Sequence, residues 1–169
     1  MPNTLTKAEN FDGRMLGATE MYTGVSSAFQ SVTDTYVNVN VGGSAYLKVA
    51  FVVPPSNKVK ITVHFGQVQR ASGDLQFGLA TDTSATTLGT RYERKVWDID
   101  ESDHVGIFYE WYVDGSDVSW SVGESKTIYA MVRADSSAGR LMYGITGSDN
   151  YNSWTMEAIA LPATIGDGS

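Results

Sequence analysis

Apolar residues recur at every second position through most of the chain after Asp34, and that period limits the structures open to it. Side chains of a strand alternate between two faces, whereas a helix would bring them back every three or four residues. Val59, Ile61, Val63 and Phe65 alternate with Lys60, Thr62 and His64, the cleanest half-buried strand in the sequence. Val37, Val39 and Val41 alternate with Asn38 and Asn40 until Gly42-Gly43 interrupts them. Leu47, Val49, Phe51 and Val53 form the next inward set, which Pro54-Pro55-Ser56-Asn57 terminates, because proline cannot donate to a ladder. Leu75, Phe77 and Leu79 follow the Ser72-Gly73-Asp74 turn, and further strands are expected over 91–97, 104–113, 118–122, 127–133, 140–146 and 154–161. The breaks between them, such as Asp114-Gly115-Ser116-Asp117 and Asp135 to Gly139, are turn chemistry. Roughly nine or ten short strands, 8 to 15 residues apart and without a helical crossover, predict an antiparallel double-sheet sandwich or a closed barrel.

The 169 residues suit one domain with one core. Cysteine is absent, which excludes disulfides, thiol nucleophiles and thiolate metal sites. A net charge of −7 leaves no basic footprint for nucleic acid or an anionic membrane, so neither is expected as a partner. The longest apolar run, Val49 to Pro55, is far short of the ~20 residues of a membrane helix. The N-terminus lacks an apolar stretch of signal-peptide length, and synthesis and retention in a cytoplasm are expected unless a carrier exports the chain.

Residues 1–24 read differently from the rest. Leu5, Phe11, Met15, Leu16, Met21 and Tyr22 are scattered among Gly, Thr, Asn and charged residues without a stable period. The segment is expected to be an irregular arm. It is either a frayed terminus or, given so many large apolar side chains, a docking element.

Strands of the first half are apolar on one face, as a sandwich with a wet outside requires. Those of the second half are apolar on both. Val105, Ile107, Tyr109, Trp111 and Val113 share one face, while Phe108 and Tyr112 occupy the other. Ile128, Ala130 and Val132 alternate with Tyr129 and Met131, and Met142 beside Leu141 and Tyr143 repeats the pattern. Only one face of a strand meets the core in a two-layer fold, so the second apolar set needs a covering loop or another subunit. Tyr and Met are enriched at interfaces, which makes Phe108, Tyr112, Tyr129, Met131 and Met142 the expected subunit contacts, with loop cover as the alternative.

Signals for chemistry are sparse. The two histidines, His64 and His104, lie on strands and face away from the main apolar sets; no Gly-x-Ser-x-Gly elbow, phosphate loop or His-x-x-x-His pair occurs. No catalytic residue, cofactor or metal is assigned, and the chain is not expected to be an enzyme. Asp98-Ile99-Asp100-Glu101-Ser102-Asp103 opens a stretch to Glu124 with eight acidic residues and no Lys or Arg. It reads as a solvated acidic loop, since an EF-hand's central glycine and distal glutamate are missing. A calcium site, and pairing with Arg91, Arg94 and Lys95, remain as alternatives. Trp120 and Trp154 are candidates for a glycan platform, or for the core or interface positions a large ring more often fills.

The stretch Val32 to Phe65, VTDTYVNVNVGGSAYLKVAFVVPPSNKVKITVHF, pairs a Thr- and Val-rich strand with an apolar strand that runs into Pro-Pro-Ser and then a strand beginning Lys-Val. It resembles the opening of TNF/C1q-like jelly-roll domains of bacteriophage virion proteins. The closing segment NSWTMEAIALP is similar to their last strand. The resemblance implies an all-β, antiparallel double-sheet jelly-roll sandwich over residues 25–169 behind the arm. It further implies a homotrimer serving as a capsid decoration protein, head fibre or tail module. The expectation is therefore a virion structural protein on the capsid surface. The arm residues Leu5, Phe11, Met15, Leu16, Met21 and Tyr22 would attach it to the major capsid protein. A receptor- or carbohydrate-binding tail module is the alternative.

Overall fold

The computed structural model describes residues 13–21, 29–41, 43, 45–69, 74–95, 104–134, 139–142 and 153–162. Among them the chain is nearly all β: two antiparallel sheets pack face to face around one core. In chain order the strands are β1 (Met15–Met21), β2 (Phe29–Val32), β3 (Val37–Asn38), β4 (Asn40–Val41), β5 (Ala45–Tyr46), β6 (Lys48–Val52), β7 (Lys58–Gln69), β8 (Leu75–Ala80), β9 (Glu93–Lys95), β10 (His104–Asp114), β11 (Ser125–Ala134), β12 (Gly139–Met142) and β13 (Trp154–Ala160).

The front sheet is organised by the long strand β7. β10 pairs with it along one side, while β13 and then β12 share the other, with β1 outside β13 and β2 outside β12. The back sheet is centred on β11, flanked by β8 and β9 on one side and by β6 and β3 on the other. β4 and β5 form a small hairpin that branches off between β3 and β6.

The period of two places the core. Val59, Ile61, Val63 and Phe65 of β7 are buried, as are Val49, Phe51, Phe77, Leu79, Ile128, Ala130 and Val132 from the back sheet. Aromatic contacts cross the gap: Phe77 of β8 meets Phe65 at 4.7 Å and Tyr109 at 5.7 Å, and Phe65 continues to Trp154 at 6.0 Å. Such ring pairs add to area burial at a sandwich centre.

Three expectations are corrected. First, the arm does not extend to residue 24: Met15–Met21 is a strand paired antiparallel with β13. Met21 is buried and Leu16 packs on the core. β1 also lies against β6 of the other sheet, so close that a Cβ on Gly17 would sit 2.4 Å from the Ala50 carbonyl oxygen. Only glycine fits there without moving a backbone. Second, 118–122 is not a strand. Gly115–Val118 is a 3-10 turn, Ser119 takes φ 58°, and Trp120 turns into the core at 5.6 Å from Phe51. Third, Trp120 and Trp154 are buried and offer no glycan platform.

Candidate assembly surface

The outer face of the front sheet follows from the same alternation. With Val59, Ile61, Val63, Trp111 and Val113 turned inward, the intervening residues of β7 and β10 must point away from the core. Register sets them in rows across four strands: Met15, Ile159, Lys60, Tyr112; then Ala18, Glu157, Thr62, Glu110; then Glu20, Thr155, His64, Phe108. Phe108 is 58% exposed, Tyr112 53% and Met15 48%. Phe108 and Tyr112 stand about 14 Å apart along β10, four residues on one face. Fully burying such a ring contributes roughly 1.5–3 kcal/mol, so the face holds unused hydrophobic free energy.

Some of the charges between the apolar groups are already paired. Lys60 Nζ donates to Glu110 Oε1 at 2.8 Å, and the Tyr112 hydroxyl reaches Glu110 Oε2 at 3.4 Å. The hydrogen bond to Glu110 holds the Lys60 ammonium above its ordinary pKa, against the opposing effect of burial. At the end of the strands Lys58 Nζ lies 3.4 Å from Asp114 Oδ2. Asp114 is held below the usual carboxylate range, first by hydrogen bonds from Ser116 and then by Lys58. Covering the part of this face around Lys60, Glu110, Lys58 and Asp114 would leave those charges paired, whereas Glu157 and Glu20 in the neighbouring rows would need a cation from whatever covers them. β10 is also an edge: among the described residues it pairs only with β7, and open edges invite pairing.

The expected contact residues do not form one surface. Phe108 and Tyr112 lie together on the front sheet. Tyr129 is on the outer face of the back sheet, across the molecule, half-buried against Tyr46 at 5.9 Å and beneath the Lys48 ammonium at 5.7 Å. Met131 is corrected from interface to core: it is 0% exposed. The loop from Thr81 to Thr87 folds back over it, placing Ala85 against it with Tyr36 and Tyr129 at the sides. Gly78, its register partner, leaves the space, since a Cβ there would lie 2.6 Å from Met131 Cε. Met142 ends β12, but its side chain lies outside the described residues.

Of the expected attachment residues, Leu5, Phe11 and Tyr22 also lie outside the described residues. Leu16 and Met21 are spent on the fold, a correction that follows from β1 being a strand. Met15 is exposed and joins the front face instead. Asp98 to Asp103 lies outside the described residues, and among those described no group of three or more acidic or imidazole side chains could hold a metal. Arg91 pairs with Asp117 of the same chain, while Arg94 Nη1 donates to the Arg91 and Glu93 carbonyls. Sequence reasoning did not set Ile159 in one row with Tyr112 or pair Lys60 with Glu110. Both depend on cross-strand register, which a single strand's pattern does not carry. No family model matches the chain, and no curated protein matches it.

Proposed function

We propose that the chain is a non-catalytic structural subunit of a bacteriophage virion, a capsid decoration protein that trimerises through the outer face of the front sheet. The observation that carries the assembly part is the set of Phe108, Tyr112 and Met15, all exposed on one sheet face beside the Lys60–Glu110 pair. Monomers rarely leave large rings in such an array without a partner. The virion setting and the capsid surface rest on the resemblance of Val32 to Phe65 and 152–162 to phage jelly-roll domains. The jelly-roll part of that reading is supported by the way successive strands change sheets: β6 lies in the back sheet, β7 in the front, β8 and β9 in the back, β10 in the front, β11 in the back and β13 in the front.

The test has two arms. Light scattering should give the mass of a trimer for the native chain, and Phe108→Asp should give a monomer, because a carboxylate forced into an interface costs on the order of 3 to 5 kcal/mol. Retention on undecorated capsid shells should then fall by about 100-fold for the monomeric variant, since three linked contacts act as one. A native monomer would remove the assembly reading. Saturable binding to host cells with none to shells would replace decoration by the tail-module alternative.

A further inference from the structure

Glu20 and Glu157 stand diagonally across β1 and β13 on the outer face of the front sheet, Glu20 opposite Thr155 and Glu157 opposite Ala18. Diagonal neighbours in a sheet lie about 7–8 Å apart, so two like charges share one patch. Neither carboxylate has an ion pair or hydrogen bond among the described residues. Glu157 does act on Lys60, but Lys60 Nζ is already bonded to Glu110 at 2.8 Å. We propose that in the trimer the β9–β10 edge of one copy covers the front sheet of the next, bringing Arg94 between Glu20 and Glu157. The proposal rests on the assembly reading above and adds to it the surface that the front sheet meets, a different part of this same chain.

Topology and charge both select that edge. Three copies around one axis meet through heterologous contacts, in which the front sheet of each faces a different surface of the next. Where front sheets turn toward the axis, that surface is a side wall. On the β10 side the wall consists of two outermost strands, β10 of the front sheet and β9 of the back sheet, tied through the core by Tyr109 against Phe77 at 5.7 Å. Burial pushes the Tyr109 phenol up and the Arg94 charge opposes it, so the guanidinium of β9 lies near β10. Arg94 is exposed, and no carboxylate pairs with it among the described residues. Its Nη1 donates to the carbonyls of Arg91 at 2.9 Å and Glu93 at 2.8 Å, which fixes the group before a partner arrives and spares the cost of ordering a free side chain. Nε and Nη2 make no bond among the described residues, and a guanidinium has donors enough to bridge two carboxylates. Lys58, Lys60, Arg91 and Lys126, by contrast, face carboxylates of their own chain. Lys48 and Arg133 lie over tyrosine rings on the outer face of the back sheet. A front sheet meets those two only if copies stack front to back, which gives an open file instead of a closed ring.

The full chain would be compared by light scattering, over a dilution series, with Arg94→Glu, Glu157→Arg, the double variant carrying both, and Lys48→Glu. Each single reversal should raise the midpoint concentration of the trimer by about 30-fold: roughly tenfold per contact, over three contacts, with a midpoint that follows the square root of the trimer dissociation constant. The double variant rebuilds the pair in the opposite sense and should recover most of that loss, which a generally damaged fold does not do. Lys48→Glu should assemble as the native chain does. The proposal is overturned if either single reversal leaves the midpoint of a native trimer unchanged, if the double variant assembles no better than the singles, or if Lys48→Glu dissociates the trimer. The assembly reading survives each of those results, whereas a native monomer removes both.

Discussion

The outer faces of the two sheets start from the same sequence signature and end differently. On β10 the second apolar set, Phe108 and Tyr112, stays exposed; on β11 Met131 is sealed. The difference lies in the next connection. After β8 the chain makes a tight hydroxyl-rich loop, Thr81 to Thr87, pinned by the Asp82 carboxylate and by Asn38, and Ala85 with φ 58° closes over Met131. Among the described residues nothing comparable crosses the front face. The fate of a second apolar face is therefore settled elsewhere in the chain: a loop seals it on β11, and on β10 it stays exposed among the described residues.

Truncation at each site should separate the two faces most strongly. Met131→Ala removes a sealed side chain and should cost about 2–5 kcal/mol in urea denaturation, whereas Phe108→Ala, measured on monomer, should stay within about 0.5 kcal/mol. Equal losses would erase the distinction. A smaller effect is expected where the seal depends on missing atoms: Gly78→Ala sets a methyl against Met131 Cε and the Tyr92 carbonyl and should cost about 1–3 kcal/mol. On the front face, Glu110→Gln weakens a partly exposed pair with Lys60 and should cost less than about 1 kcal/mol, falling further in high salt.

Alkaline pH offers a test confined to the back face. Burial pushes the Tyr36 phenol up to about 12, helped by its hydrogen bond and proximity to Glu93 and opposed by Arg133. The folded pKa lies above the unfolded one near 10, so the neutral phenol stabilises the fold fully below pH 10, and that contribution is lost as pH rises from 10 to about 12. Stability measured across that window should fall less in Tyr36→Phe than in the native chain. At the acid end Asp82 is held below its ordinary range, first by Thr86 and also by Ser84. Its contribution is present above that range and lost as pH falls through the lowered value, and the Ser84 and Thr86 amides should then exchange faster.

Parts of the fold escaped sequence reasoning for identifiable reasons. β1 was hidden because its register shifts between Met15 and Gly17, and an extra residue breaks the period of two. Gly17, which looks like arm composition, is there because β6 approaches too closely for a side chain. A direct check is to compare deletions: removing residues 1–12 leaves β1 in place, while removing 1–24 takes Leu16 and Met21 out of the core and should lower the melting temperature clearly more. Val118, Trp120 and Val122 gave the opposite error, a period of two with no strand behind it. Trp120 is buried, Val118 is partly buried against the core, and Val122 is exposed.

What the sequence determined by itself is which side of each strand faces inward, because alternation is a property of the extended backbone and needs no partner. It decided the all-β class, the buried sets of β6, β7, β8 and β11, and the doubling of apolar faces on β10 and β11. Only the tertiary structure decided which strands are neighbours. That put Met15 and Ile159 in one row with Lys60 and Tyr112, set Tyr129 across the molecule from Phe108, and brought Asn38 under a loop more than forty residues later. Those outcomes depend on register and on loop paths, which are set by packing between distant segments and leave no period in the chain itself.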